Sequence, residues 1–230
     1  MSTTRQRSEQ ASFTALEELL AGQPGWAEVL NRVAYWPEEQ DLPRAVAMVE
    51  EVANRAWRPE ARTPTRRVLD QLRRGEVRPH LRLLRALDVD VPELSVRDRV
   101  RVLERMIDEG GVRELHTFRS RVTLGDHVLI EVLGRRVTGL RVLSIGQSQV
   151  SSAGAAALAG SPAFAGLHHL SLHSNRIDDR GGLALVASPH LASLRYLNLH
   201  ANCLGPEVAR RMRSRPEWEG AKLVLHGQGS

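Results

Sequence analysis

Polar and aromatic residues recur at a constant spacing in the second half of the chain. His169 and Tyr196 are 27 residues apart, and so are His173 and His200. Histidines brought together by such a spacing could hold zinc or copper, or they could form a polar and aromatic surface for a protein ligand. The equivalent positions contain no cysteine or carboxylate. We therefore favour the protein-binding surface and predict neither a metal site nor a cofactor.

The sequence lacks the common catalytic and phosphate-binding motifs. It contains no GxxxxGK[ST] loop, no GxGxxG sequence, and no HExxH, CxxC or GxSxG signature. No other residue pattern promotes a catalytic function. We therefore expect a non-enzymatic protein.

These polar residues belong to three internal repeats. The repeats begin with LRVLSIGQSQV at Leu140, LHHLSLHSNRI at Leu167 and LRYLNLHANCL at Leu194, so their first leucines are 27 residues apart. Each repeat predicts a short strand followed by a helical segment rich in alanine and leucine. An asparagine at the polar ninth position can bond the main chain where it leaves the strand. That position is occupied by Ser148, Asn175 and Asn202.

Weaker copies flank the three repeats. Downstream, Leu223 and Leu225 repeat Leu197 and Leu199 at a spacing of 26 residues. Upstream, a copy offset by 28 residues from Leu140 is predicted at Val112, Leu115, Thr117, Ser120 and Val122. The sequence thus predicts about four units and a closing strand.

The repeat pattern LxxLxLxxNxIxxxGxxxLAxSPxLxxL resembles the ribonuclease-inhibitor-like class of leucine-rich repeats. More narrowly, the chain resembles bacterial proteins that join such repeats to an N-terminal repeat-companion domain, because RVAYWPEEQDLPRA (residues 32–45) is a shortened version of that domain's YADWLEE-type stretch. The resemblance implies an α/β solenoid: a short arc with parallel strands on its concave face and helices outside. It also implies protein interaction or scaffolding, with regulation of a GTPase or another enzyme as a minor alternative.

Parallel strands place equivalent positions side by side, about 4.8 Å apart. The predicted columns on the concave face are Val142, His169 and Tyr196; Ser144, Ser171 and Asn198; and Gly146, His173, His200 and His226. We predict that a partner protein binds this face, since aromatic and arginine side chains often dominate such interfaces. The predicted contacts are Arg141, His169, Tyr196, His173, Asn198, His200 and Arg195.

The first half of the chain predicts short amphipathic helices. Residues 1–110 are expected to form an all-α N-terminal cap domain, and residues 111–230 the repeat domain. Phe13 and Leu16 mark the apolar face of one predicted helix, and another helix is expected to run from Pro79 through Leu87. The next helix is predicted to begin at Ser95, where a capping box with Asp98 is expected.

Arginines are concentrated in residues 55–85, which contain ten arginines and three acidic residues. Such a stretch could be a solvated or internally paired face, a surface for an acidic protein, or a phosphate-binding surface for nucleic acid. We favour the first of these interpretations. The alternative function is a basic adaptor that binds nucleic acid or an acidic surface through this stretch.

The composition is typical of a globular protein. Of 230 residues, 42% are hydrophobic and 26% are charged, and charges interrupt every stretch that approaches the roughly 20 apolar residues of a membrane helix. The only cysteine is Cys203, and the first residues lack the apolar core of a signal sequence. We therefore predict a cytoplasmic protein that does not span a membrane.

Overall fold

The computed structural model describes residues 3–88, 95–112, 114–121 and 123–226, so Val122 of the predicted upstream repeat lies outside the described residues. The helices within these ranges are α1 Thr3–Ala21, α2 Trp26–Ala34, α3 Leu42–Ala56, α4 Arg66–Arg73, α5 Val96–Asp108, α6 Gly125–His127, α7 Gly134–Arg136, α8 Ser152–Gly160, α9 Asp179–Ala187 and α10 Pro206–Arg213. The strands are β1 Ala86–Asp88, β2 Thr117–Ser120, β3 Val142–Ile145, β4 His169–Ser171, β5 Tyr196–Asn198 and β6 Lys222–Val224. Contacts divide the chain into two units, one of Met1–Ala86 and Arg105–Val112, the other of Leu87–Glu104 and Arg113–Ser230.

The first unit is built mainly from helices α1 to α4. The apolar face predicted for α2 is buried, because Trp26, Val29, Leu30 and Val33 are all 7% exposed or less. Phe13 of α1 is also buried, and its ring lies 5.0 Å from that of Trp36. The predicted amphipathic helices of α1 and α2 are therefore confirmed.

The prediction of a helix through Leu87 is wrong. A short 3-10 helix, Pro79–Leu83, ends before strand β1. The amides of Arg85 and Ala86 donate to the carbonyl of Arg62. These amides therefore do not make the hydrogen bonds of a continuing helix. Residues 1–110 therefore contain a strand as well as helices. The predicted capping box is confirmed in part: the Ser95 hydroxyl accepts the Asp98 amide at 3.2 Å, and the same hydroxyl donates to the Asp98 carboxylate.

The six strands form one parallel sheet in the order β1 to β6, and the sheet is not closed. This confirms the predicted α/β class and the parallel pairing. Equivalent leucines of neighbouring strands are paired and fully buried: Leu143 with Leu170, and Leu170 with Leu197. Helices α8 and α9 follow β3 and β4 and pack against each other. Strands β3, β4 and β5 thus each contribute a leucine to a continuous apolar layer.

The register of β2 differs from the predicted 28-residue offset. Phe118 pairs with Leu143 and Ser120 pairs with Ile145, which is an offset of 25 residues. Phe118 is fully buried, so it occupies the position that a leucine occupies in the later strands. An aromatic residue at this position removed the leucine signal on which the predicted alignment depended.

Buried asparagines hold the main chain at the end of the strands. Asn175 accepts the amides of Ser148 and Val150 at 3.0 Å and donates to the carbonyls of Ile145 and Leu172 at 2.8 and 2.9 Å. Asn202 likewise accepts the amide of Ile177 in the preceding repeat and donates to the carbonyls of Leu172, Leu199 and His200. Ser148 is also buried and donates to a carbonyl. The predicted turn-bonding role of these residues is confirmed.

Side-chain hydrogen bonds also connect successive helix starts. Ser151 caps α8 by accepting two amides, and its hydroxyl contacts the Asp126 carboxylate at 2.5 Å. Ser152 makes the same contact with Asp178, which caps α9. The Ser152 hydroxyl and the Gly181 amide hold the pKa of Asp178 below its usual value. These bonds fix the spacing between the helix starts of neighbouring repeats.

None of the helices in the described residues is both long enough and apolar enough to cross a membrane.

Candidate functional site

The side chains that alternate with the buried leucines form one surface of the sheet, which we call the polar face. It comprises the residues at matching positions of β2 to β6 and just beyond them: Thr117, Arg119, Arg121, Val142, Ser144, Gly146, His169, Ser171, His173, Tyr196, Asn198, His200, Lys222, Val224 and His226. The strand register confirms two of the predicted columns, Val142 with His169 and Tyr196, and Ser144 with Ser171 and Asn198. Strands β2 to β5 are each backed by a buried residue, so the sheet sets the positions of these side chains.

An aromatic pair lies at the centre of the polar face. The rings of His169 and Tyr196 stack with their centroids 4.2 Å apart and their planes inclined by 6°. The Lys222 Nζ atom lies 6.0 Å from the Tyr196 centroid, on the adjacent strand. The faces of the His169 and Tyr196 rings are therefore directed across the strands, towards the side chains of the neighbouring strands.

A row of imidazoles lies beyond the carboxyl ends of the strands. The His173 ring lies over Gly146, where a Cβ atom would come within 2.1 Å of the ring, and His173 Nδ1 is 3.1 Å from the Ser171 hydroxyl. His200 Nδ1 donates to the carbonyl of His226 at 2.6 Å, and the two rings are 4.9 Å apart. Glycine at position 146 thus leaves the space that the His173 ring fills.

Asn198 fixes the loop between the aromatic pair and this row. Its Oδ1 atom accepts the amide of His200 at 2.9 Å. The residue is half-buried. Of the seven predicted contact residues, the sheet brings together His169, Tyr196, His173, Asn198 and His200.

The two predicted edge residues lie at the beginnings of the strands. Arg141 and Arg195 are exposed, and each donates an Nη1–H to a nearby carbonyl, Arg141 to Gly166 and Arg195 to Leu194. They precede β3 and β5 by one residue, so they border the polar face and are not members of its columns.

Burial and positive charge both favour neutral imidazoles at the centre of the polar face. Burial, with a smaller contribution from Arg119, lowers the pKa of His169. Burial also lowers the pKa of His173, assisted by His200 and Arg121. Neutral rings can both donate and accept hydrogen bonds, so the centre of this surface can bind main-chain groups of a ligand.

Sequence reasoning missed the charged residues of this surface. Arg119 of β2 pairs with Ser144. Arg121 lies two residues after Arg119, just beyond the end of β2. Lys222 of β6 pairs with Tyr196. Aligning Phe118 with Leu143 would have placed Arg119 in its column, and the confirmed alignment of Leu223 with Leu197 already implied the position of Lys222.

The arginine-rich stretch is used largely within the first unit. Arg62 is buried, and its guanidinium donates to the carbonyl of Leu83 and the side chain of Asn54, both at 2.8 Å. Further contacts join Arg55 to Glu51, Arg74 to Glu76, Arg78 to the Ala34 carbonyl, and Arg82 and Arg85 to Glu50. These contacts agree with an internally paired face.

Across the described ranges, no group of three or more histidine, cysteine or acidic side chains is placed to hold a metal ion. Within the row of His173, His200 and His226, His173 contacts the Ser171 hydroxyl and His200 bonds and packs against His226.

No protein-family model matches the chain, and a comparison with curated proteins finds no significant match.

Proposed function

We propose that the protein is a non-enzymatic interaction module that binds a partner protein on the polar face. The observation that carries this proposal is the stacked pair of His169 and Tyr196, which is half-buried at the centre of a sheet whose other side is packed with leucine. Aromatic groups held rigidly at the centre of a surface are typical anchors of protein interfaces. Asn198 and the imidazoles around the pair supply hydrogen-bonding groups.

We further propose that the sheet belongs to a leucine-rich-repeat solenoid with the polar face as its concave side. The 27-residue spacing of β3, β4 and β5 supports this interpretation, as does the hydrogen bonding of Asn175 and Asn202 to the preceding unit. Such repeats commonly use an extended strand surface for binding. Residues 1–110 would then serve as the N-terminal cap, and we place the protein in the cytoplasm.

The alternative function, a basic adaptor that uses residues 55–85, has less support. Arg62 is buried and five further arginines of this stretch contact acidic side chains or a carbonyl. Charges that are neutralised in this way contribute little to a salt-dependent phosphate surface. We therefore assign binding to the polar face.

The proposal can be tested by a nuclease-treated native pull-down that is analysed by mass spectrometry. The test variant is His169→Glu/Tyr196→Ala/His200→Ala, and the matched control is Arg66→Gln/Arg67→Gln in the arginine-rich stretch. We expect a protein that the wild type and the control capture and the test variant does not, and we expect the affinity of that purified protein to fall at least tenfold. Equal capture by all three baits, or loss only in the arginine variant, would contradict the proposal.

A further inference from the structure

We propose that the ligand of the polar face is an acidic peptide segment of the partner protein, extended across the strands with carboxylates near Arg119 and Lys222. This inference rests on the proposed function, because it names the chemistry of the partner that the polar face would bind. It is carried by the charge of the surface, by the separation of its cations and by the arrangement of its aromatic rings.

The charged side chains of the polar face from β2 to β6 are cationic. Arg119 and Lys222 are exposed on the first and last of these strands, and Arg121 follows β2. The columns on β2 to β6 contain no aspartate or glutamate. We define the cationic surface as β2 to β6, because strand β1, next to β2, ends at the exposed Asp88. Charge complementarity therefore favours a negatively charged partner.

The distance between the two outer cations sets the size of the ligand. Four strand spacings of about 4.8 Å, or roughly 19 Å, separate β2 from β6. Lys222 lies level with Thr117, two residues before Arg119 along the strand direction, so the backbone positions of the two cations are roughly 20 Å apart. An extended peptide advances about 3.3 Å per residue, so about six residues cover this distance. Two carboxylates five or six residues apart match the two cations.

The centre of the polar face suits the main chain of such a peptide. Ser144, Asn198 and the ring of His169 lie between the two cations and carry donors and acceptors without a formal charge at neutral pH. A peptide would thus meet charge at both ends and hydrogen-bonding groups in the middle. This arrangement favours an extended segment over a single ion, which would need converging cations.

The aromatic geometry disfavours a nucleic acid as the ligand. Proteins that bind single strands stack bases on open aromatic faces. One face of the His169 ring covers the Tyr196 ring, and Lys222 lies over the Tyr196 ring from the adjacent strand. The Tyr196 ring thus has a neighbour on each face, which leaves its edge and its hydroxyl for the ligand.

An array of eight-residue peptides tests the inference directly. The peptides carry two aspartates at every possible separation in a background of serine and alanine, and each has a partner with asparagine in place of aspartate. The labelled full-length protein should bind best at separations of five or six residues, at least threefold above the asparagine peptides. The variant Arg119→Gln/Lys222→Gln should lose this preference, whereas Arg176→Gln/Arg213→Gln, which removes two exposed arginines outside the polar face, should keep it.

Other results would overturn the inference. Equal binding of the aspartate and asparagine peptides, or equal binding at all separations, would exclude the acidic segment. Tighter binding of an oligothymidine of 12 nucleotides at the polar face would also exclude it. The partner captured in the pull-down separates the two proposals. If its binding requires His169 and Tyr196 but is unchanged by Arg119→Gln/Lys222→Gln, the polar face is the binding surface and the proposal of an acidic ligand is wrong. If it tolerates both sets of substitutions, the surface itself fails.

Discussion

His169 and Tyr196 stack across two neighbouring strands with an interplanar angle of only 6°. Their backbone positions are directly paired in the sheet, so the strand spacing itself brings the rings to a centroid distance of 4.2 Å. Cross-strand pairs of this kind stabilise a sheet and also fix the exposed edges of both rings. The same contact therefore contributes to stability and to the shape of the proposed binding surface.

A double-mutant cycle should detect this contact. We expect His169→Ala and Tyr196→Ala to be coupled by about 1 kcal/mol in the free energy of unfolding, the usual size of an aromatic pair. Urea denaturation of the wild type, both single variants and the double variant measures the coupling. As a control, Ser144→Ala and Asn198→Ala lie two strands apart and should be additive. Additivity of the aromatic pair would show that the stacking adds no stability.

Asn175 should be far more important for stability than Asn198. Replacing Asn175 with alanine removes its hydrogen bonds to the amides of Ser148 and Val150 and to the carbonyl of Ile145, while the Leu172 carbonyl keeps its bond from Asn202. Unsatisfied buried groups cost about 1–3 kcal/mol each, so we expect Asn175→Ala to lower the free energy of unfolding by about 3 kcal/mol or more. The matched variant Asn198→Ala, at a half-exposed position with one amide partner, should lose about 1 kcal/mol. Similar losses in urea denaturation would contradict the turn-bonding role.

The sequence predicts the sheet well where leucines mark its strands. Leu143, Leu170 and Leu197 are paired as their 27-residue spacing indicates, and Leu223 pairs with Leu197 at the predicted spacing of 26. Repeated apolar residues at one position are a strong signal, because each must enter the same buried layer. The columns of the polar face follow directly from that register.

The same reasoning fails where the apolar residue changes type. Phe118 replaces the expected leucine in β2, and the resulting three-residue error hid Arg119 from the predicted site. Strand β1 was missed because Leu84 and Leu87 fit a helical spacing, while the pairing that makes the segment extended is long-range. Single-sequence periodicity contains no information on such tertiary pairing.

His80 should make the stability of the protein depend on pH. Burial, with a smaller effect of Arg78, lowers the pKa of His80 to about 4 from 6.5, and neither ring nitrogen has a hydrogen-bond partner within the described residues. Between these pH values the unfolded chain binds a proton that the folded chain does not. Folding stability is therefore lost as the pH falls from 6.5 towards 4, by up to about 3 kcal/mol.

The variant His80→Leu isolates this contribution. Urea denaturation between pH 7.5 and 4 should show a smaller loss of stability for His80→Leu than for the wild type. The exposed His168→Leu serves as the control and should follow the wild-type pH profile. Parallel profiles for the wild type and His80→Leu would show that protonation of His80 is not linked to unfolding.

Replacing Arg215 even with lysine should lower the stability of the protein. Its buried guanidinium donates to the carbonyls of Leu185, Val186 and Ser188 at 2.7–3.0 Å, at the end of α9, and lies 4.5 Å from the ring of Trp218. A lysine ammonium lacks the planar fork that makes three such bonds while it stacks on an aromatic ring. We expect Arg215→Lys to lower the free energy of unfolding by about 2 kcal/mol. Arg213→Lys, at an exposed position two residues away, should change it by less than about 0.5 kcal/mol. Equal effects of the two substitutions in urea denaturation would show that charge alone, and not the guanidinium geometry, holds the end of α9.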